Sequence, residues 1–236
     1  MTFILCYHKV DYYKAGYHGI VVKPGIFFSQ MKYLYNRGYG TISLTELAAV
    51  ISRKGRIPRK RFVITFDDGY ENFYLYAFPV LKKFNFKATV FISAGFIGKV
   101  FAYPKQPDEK HLSENQIKEL AQDVDFGAHT VTHPDLAALT RDKIAEEVIN
   151  SKKIIEAITL KPVETFCYPY GKYNEEVKKV VQETGFTCAC SLVHGLVSDK
   201  SDLYALPRFE FKEFAHMSLH DFLKNFNFYF RTFLGI

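Results

Sequence analysis

A chain of 236 residues that is 48% hydrophobic and 24% charged, with 14 Gly and 9 Pro, has an ordinary globular composition, which excludes disordered, fibrous and collagenous classes. The net charge of +6 favours an anionic partner only weakly, and with no recognition motif beside it nucleic acid is not expected. No stretch approaches the roughly 20 apolar residues of a spanning helix, and residues 1–10 lack the basic and hydrophobic regions of a signal peptide, so the sequence as it stands predicts a cytoplasmic protein.

In chain order, short apolar runs alternate with helical segments that carry their own caps. Strands are predicted over residues 3–7, 62–66, 88–93, 125–129, 165–168, 186–191 and 204–209. Between them Ser43 with Glu46, and Ser113 with Gln116, read as capping boxes that open helices. Thr140 caps a helix with Ile144, Val148, Ile155 and Ile158 on one face, and Asn174 opens a helix that Gly185 closes. Parallel strands joined by helices give an α/β fold, a distorted (β/α) barrel of about seven parallel strands. It forms one domain over residues 1–236, of which 212–236 are a helical, aromatic tail. The long connections 11–25 and 95–112 follow strands, which places them on the functional face of a barrel. Cys6, Cys167, Cys188 and Cys190 lack the paired spacing of a zinc clip and read as reduced, buried thiols.

Three strand ends carry chemistry. Thr65-Phe66-Asp67-Asp68-Gly69 places two carboxylates in sequence; alone, this is equally an Asp-Gly turn, and because side chains alternate the two acids cannot share one pose and can play different roles. His129-Thr130-Val131-Thr132-His133-Pro134 holds two imidazoles four apart, and Pro134 disfavours a helix at His133, so the pair belongs to a strand-to-loop turn. Alone, the pair is as readily two hydrogen-bonded surface imidazoles. Joined by one Asp, it makes the donor set of a catalytic zinc site, which leaves a position for water. Phe166-Cys167-Tyr168-Pro169-Tyr170-Gly171 ends a third strand and alone is only a turn. His8 and Arg208 also stand at strand ends, and in a barrel all these ends gather on one face.

In these motifs and their order, from about Leu5 to Phe209, the chain resembles the polysaccharide deacetylases, the NodB homology family or carbohydrate esterase family four. Cys6-Tyr7-His8-Lys9-Val10 and Phe166–Gly171 look most like the branch of poly-N-acetylglucosamine deacetylases. The resemblance implies a hydrolase that removes acetyl groups from an N-acetylated glycan or glycolipid. It implies that Asp68, His129 and His133 bind a divalent metal, Zn2+ first and Co2+ or Ni2+ as alternatives. Asp67 is then the general base, the backbone N–H of Tyr170 an oxyanion donor, and Tyr168, Pro169 and Tyr103 substrate contacts. An acid must protonate the departing amine. His8 is preferred over His220, which stands in a Leu-x-His pattern near the C-terminus but falls in the first turn of a helix capped by Ser218. Many members carry Arg in the third motif to orient the base; Cys167 stands there instead, and Arg208 is expected to supply the charge.

Arg53-Lys54-Gly55-Arg56-Ile57-Pro58-Arg59-Lys60-Arg61 reads as a solvated loop on the far face of the barrel. Peripheral membrane contact through this run and the aromatic tail is the alternative. Tyr12, Tyr13, Tyr17, Phe101 and Tyr103 are candidates either for stacking on sugars or for loop packing. Two other functions compete: the same fold acting on a small cyclic amide or ureide, against which the open aromatic loops speak, and a non-catalytic glycan-binding module. The latter would have no use for a water activated by Asp67 beside Asp68, His129 and His133.

Overall fold

The computed structural model describes residues 1–12, 19–101 and 107–211. Seven strands build one parallel sheet: β1 (Ile4–Tyr7), β2 (Arg61–Phe66), β3 (Thr89–Ile92), β4 (Asp125–Ala128), β5 (Thr165–Cys167), β6 (Cys188–Cys190) and β7 (Phe209–Glu210). Their order is β6-β5-β4-β3-β2-β1-β7, with the short strand Gly40–Thr41 also paired to β2. The sheet curls into the expected distorted barrel. Its seam is closed by the last segment, in which Leu206 bridges in parallel to Cys190 while Phe209 and Glu210 pair with Leu5 and Cys6.

That seam corrects the predicted strand over 204–209. Pro207 has no N–H to give a ladder, so pairing breaks there and resumes only at Phe209. The strand predicted over 186–191 is likewise shorter, Cys188–Cys190.

Alternation along the strands sorts the core into two faces. Ile4, Val63, Phe91, Cys167, Cys188 and Cys190 cluster with Leu44, Leu47 and Ile51 of the helix Leu44–Ser52. Leu5, Tyr7, Ile64, Phe66, Val90, Ile92, Phe166 and Tyr168 face the opposite way, into the larger cluster shared with the other helices. Strands buried on both faces read as continuous apolar runs, which is why they are conspicuous in the sequence. Gly127 is required on the first face: a Cβ there would lie 2.4 Å from the ring of Phe91 and 2.6 Å from Thr165 Oγ1.

Both capping boxes form, opening the helices Leu44–Ser52 and Glu114–Leu120. Thr140 stands at the N-cap of the long helix Arg141–Thr159 without a side-chain cap bond, a departure from expectation, although Ile144, Val148, Ile155 and Ile158 are buried as predicted. Asn174 caps the helix Glu175–Glu183 by accepting from Val177 N, and Gly185 follows at φ 82°. Two helical stretches, Pro24–Asn36 and Phe73–Phe84, were not expected. Both are rich in Phe and Tyr, residues that favour strands, and tertiary burial overrides that preference: Phe27, Gln30, Met31 and Leu34 line one buried face of the first. The connection 11–25 therefore ends in the first turn of a helix. The connection 95–112 holds a small antiparallel pair, Val100–Phe101 with Glu109–Lys110. All four cysteines are buried and unbridged. The basic run 53–61 leads into β2, whose first residue is Arg61, at the opposite end of the strand from Asp67. Among the described residues no helix is long and apolar enough to cross a membrane. The predicted tail 212–236, with His220, lies outside the described residues, as do Tyr13, Tyr17 and Tyr103.

Candidate active site

β2 delivers Asp67 and Asp68 at its C-terminal end, where Asp67 N donates to Tyr7 O at 2.9 Å and continues the ladder. Asp68 then adopts φ 71°, a left-handed conformation uncommon outside glycine. The break in extended geometry separates the two carboxylates.

Asp67 points inward to Arg208. The guanidinium is fully buried and grips the carboxylate at both oxygens, Nη1 to Oδ1 at 2.7 Å and Nη2 to Oδ2 at 2.8 Å. Its remaining donors reach Thr65 Oγ1 at 3.1 Å, Cys167 Sγ at 3.0 Å and Ser191 O at 2.9 Å. All five N–H groups of the fork are thus satisfied, the condition on which a buried charge is tolerated. Burial alone would push the Asp67 pKa up; the adjacent Arg208 outweighs it and holds the carboxyl well below its usual range. The thiols of Cys6 and Cys167 each lie 3.5 Å from Oδ2, and burial pushes both far above the usual thiol range, so they remain protonated donors.

Asp68 turns to the other side. Its Oδ1 lies 3.5 Å from His129 Nε2 and 3.4 Å from His133 Nε2. The two imidazoles come from one loop. His129 follows β4 and sets Nδ1 2.7 Å from Cys167 O; a carbonyl only accepts, so Nδ1 carries the hydrogen and Nε2 presents its lone pair. Thr130 and His133 both have positive φ, 65° and 58°, and His133 N donates to Thr130 Oγ1 at 3.0 Å. Burial lowers the His133 pKa to about 4 against the pull of Asp68, so this ring is neutral at physiological pH. Burial also opposes ionisation of Asp68, but a hydrogen bond from His129 and the charge of the imidazoles, once these rings are protonated, outweigh it and hold the carboxyl well below its usual range.

The ligand atoms of Asp68, His129 and His133 all lie within 4.8 Å of one another. Donors bound to one zinc at about 2.0–2.2 Å would stand about 3.3–3.6 Å apart in a tetrahedron. The spacings to Asp68 fall in that window, and the His129 Nδ1–H bond to Cys167 O leaves the Nε2 lone pair of that ring for an ion, so the residues present fit a divalent ion.

His8, 12% exposed, lies at the rim with Nε2 3.9 Å from Asp67 Oδ2 and 3.8 Å from Glu210 Oε1. Glu210 is a neighbour that the sequence reading missed; its place next to Arg208 and Phe209 in β7 was the available signal. The Tyr170 backbone is left-handed at φ 59°, and its half-exposed ring meets the His133 ring at 4.6 Å between centroids. One expected substrate contact, Tyr168, does not reach the opening. Tyr168 shares the parity of Phe166, so it points into the outer core, where its hydroxyl donates to Tyr204 O at 2.9 Å; Pro169 is buried beside it.

The profile of the polysaccharide deacetylase family matches residues 54–189, which span Asp67, Asp68, both histidines and the third strand-end motif. The chain belongs to this family. YxkH of Bacillus subtilis is 34% identical over 206 residues, covering 87% of this chain and 69% of YxkH. The poly-beta-1,6-N-acetyl-D-glucosamine N-deacetylase of Staphylococcus aureus is 28% identical over 198 residues, covering 79% of this chain and 66% of that enzyme, just under two thirds of its length. Among solved structures, the Streptococcus pyogenes deacetylase PplD, in complex with acetate, superposes with a TM-score of 0.83 at 26% identity, covering 94% of this chain and 96% of PplD. IcaB from Ammonifex degensii gives 0.78 at 25% identity, over 88% and 90% of the two chains. A family of metal-dependent polysaccharide deacetylases is therefore represented here on its own barrel, with an Asp–His–His cluster able to hold the metal.

Proposed function

We propose that this polysaccharide deacetylase removes N-acetyl groups from an N-acetylated amino-sugar glycan of the poly-N-acetylglucosamine type, free or lipid-linked. Asp68, His129 and His133 would hold the divalent ion, zinc first and Co2+ or Ni2+ as alternatives. Such an ion supplies Lewis acidity to the acetamide carbonyl and to the attacking water. The chain's own groups do the rest. Asp67, kept ionised by Arg208, accepts a proton from the water as it adds to the acetamide carbon. The backbone N–H of Tyr170 serves as donor to the oxyanion that develops there. His8 gives a proton to the departing nitrogen as the C–N bond breaks, because an amide anion is too basic to leave unaided. Acetate and a free amino sugar result.

The observation that carries this reading is one oxygen, Asp68 Oδ1, at 3.4–3.5 Å from two imidazole nitrogens, with a second carboxylate held by a guanidinium next to it. Neither a pure binding module nor a structural metal site needs that second acid. The relative named as a poly-beta-1,6-N-acetyl-D-glucosamine N-deacetylase supports the choice of glycan over a small cyclic amide.

The test is acetate release from N-acetylated chito-oligosaccharides and poly-N-acetylglucosamine by zinc-loaded protein. Asp67→Asn should lower kcat by about 10²–10⁴-fold while zinc content stays at the wild-type level. Full activity in that variant would remove Asp67 from the role of base. His8→Ala should lower kcat with zinc retained; an unchanged kcat would transfer the acid's role elsewhere.

A further inference from the structure

The two imidazoles of the donor set are separated by only Thr130, Val131 and Thr132, and this link is held by a side chain from another element. Glu147, on the helix Arg141–Thr159, accepts from Val131 N at 2.8 Å and from Thr132 N at 2.9 Å through Oε2. Its other oxygen, Oε1, accepts from Thr132 Oγ1 at 2.7 Å. With His133 N bonded to Thr130 Oγ1, the three successive amides of residues 131–133 all donate to side-chain oxygens. Successive N–H groups converging in this way form a nest for a negative charge, and here the helix itself supplies the carboxylate.

On the other side of the link, Thr130 O and Val131 O accept from Ala94 N and Gly95 N, at 3.0 and 2.8 Å. The link is thus gripped from both sides while its ends, Thr130 and His133, stay left-handed. Free of those bonds, neither residue would hold a positive φ, because both carry a Cβ that penalises it. The helix has its own anchors in Ile144, Val148, Ser151, Ile155 and Ile158, all buried, so Glu147 is not needed to seat it.

We infer that Glu147 is a positioning residue for the metal: its carboxylate fixes the loop conformation in which His129 and His133 present both Nε2 atoms to one ion. This rests on the metal-site reading above and adds to it a residue outside the ligand set. It is the counterpart, acting on backbone, of groups that orient a ligand ring from behind.

The experiment measures zinc dissociation constants by competition with a chromophoric chelator, for wild type, Glu147→Ala and Glu147→Gln. In Glu147→Ala the affinity should fall on the order of tenfold or more. Glu147→Gln should stay within about threefold of wild type, since its amide oxygen can still accept from both backbone N–H groups while its NH2 donates to the Thr132 hydroxyl. A merely structural role would lower the melting temperature of metal-free and zinc-saturated protein alike and leave the zinc affinity of the folded chain where it was. Unchanged affinity in Glu147→Ala overturns the inference, as does a Glu147→Gln variant as weak as the alanine, or an alanine variant that does not fold. Wild-type protein that binds no zinc overturns the donor-set reading as well, and so separates the two failures.

Discussion

The two halves of the site are built on opposite plans. The base half is rigid because of charge: Asp67 sits at the end of a regular strand, and one buried guanidinium with five satisfied donors fixes it. The metal half is rigid because of backbone: Asp68, Thr130 and His133 all have positive φ, and hydrogen bonds to Glu147, Ala94 and Gly95 hold the loop that carries both histidines. A group that must keep its charge beside a metal needs a counter-ion in low dielectric, whereas ligands that must converge need a conformation the chain would not choose unaided.

Breaking the charge on the base side should have the largest effect. Arg208→Met leaves Asp67 buried without its guanidinium counter-ion and should cost about 3–5 kcal/mol, read as a lowered urea midpoint, with deacetylation lost as the carboxyl protonates. A variant with wild-type stability would mean that the pair contributes nothing net.

The metal half should instead show itself through pH. In metal-free protein the unfolded state binds a proton at His133 below about pH 6.5, but the folded state does so only near 4. Stability is therefore full above pH 6.5 and falls on acidification, by about 3 kcal/mol at pH 4, relative to a His133→Asn variant. Asp67 and Asp68, both held low, add a second loss once the pH falls through the ordinary carboxylate range and below. Parallel pH–stability curves for wild type and His133→Asn would contradict the first of these losses.

The smallest effect belongs to a surface tie beside the metal half. Lys172 Nζ meets Asp135 Oδ2 at 2.6 Å and links the Tyr170 turn to the chain after His133, yet the two side chains are 60% and 32% exposed. Lys172→Ala should cost less than about 1 kcal/mol, and that cost should shrink as salt is added.

The contrast also explains what the sequence made legible. β1 to β6 and the order of the motifs stand out because buried parallel strands are continuous apolar runs, and because strand ends are where a barrel gathers its chemistry. Arg208 was visible for the same reason. Glu147 was not, since nothing local distinguishes a carboxylate that receives a loop's amides from any other acid on a helix. The helix Pro24–Asn36 was hidden by Phe and Tyr residues whose strand preference masked a buried face at Phe27, Gln30, Met31 and Leu34. Tyr168 was misplaced by proximity: it adjoins a motif residue, and the two-residue period of the strand then turns it away from the opening.

Closure of the barrel by its last segment has a consequence for how the molecule comes into being. All three donor residues have been synthesised once His133 leaves the ribosome, but the cation that Asp67 requires stands 141 positions beyond it, in the segment that seals the seam. Until that segment docks, the interior would enclose an acid with no opposite charge, so docking and charge neutralisation are a single event of high contact order, slow by nature. A nascent chain halted before Leu206 would carry a complete set of metal donors in a vessel that cannot yet shut.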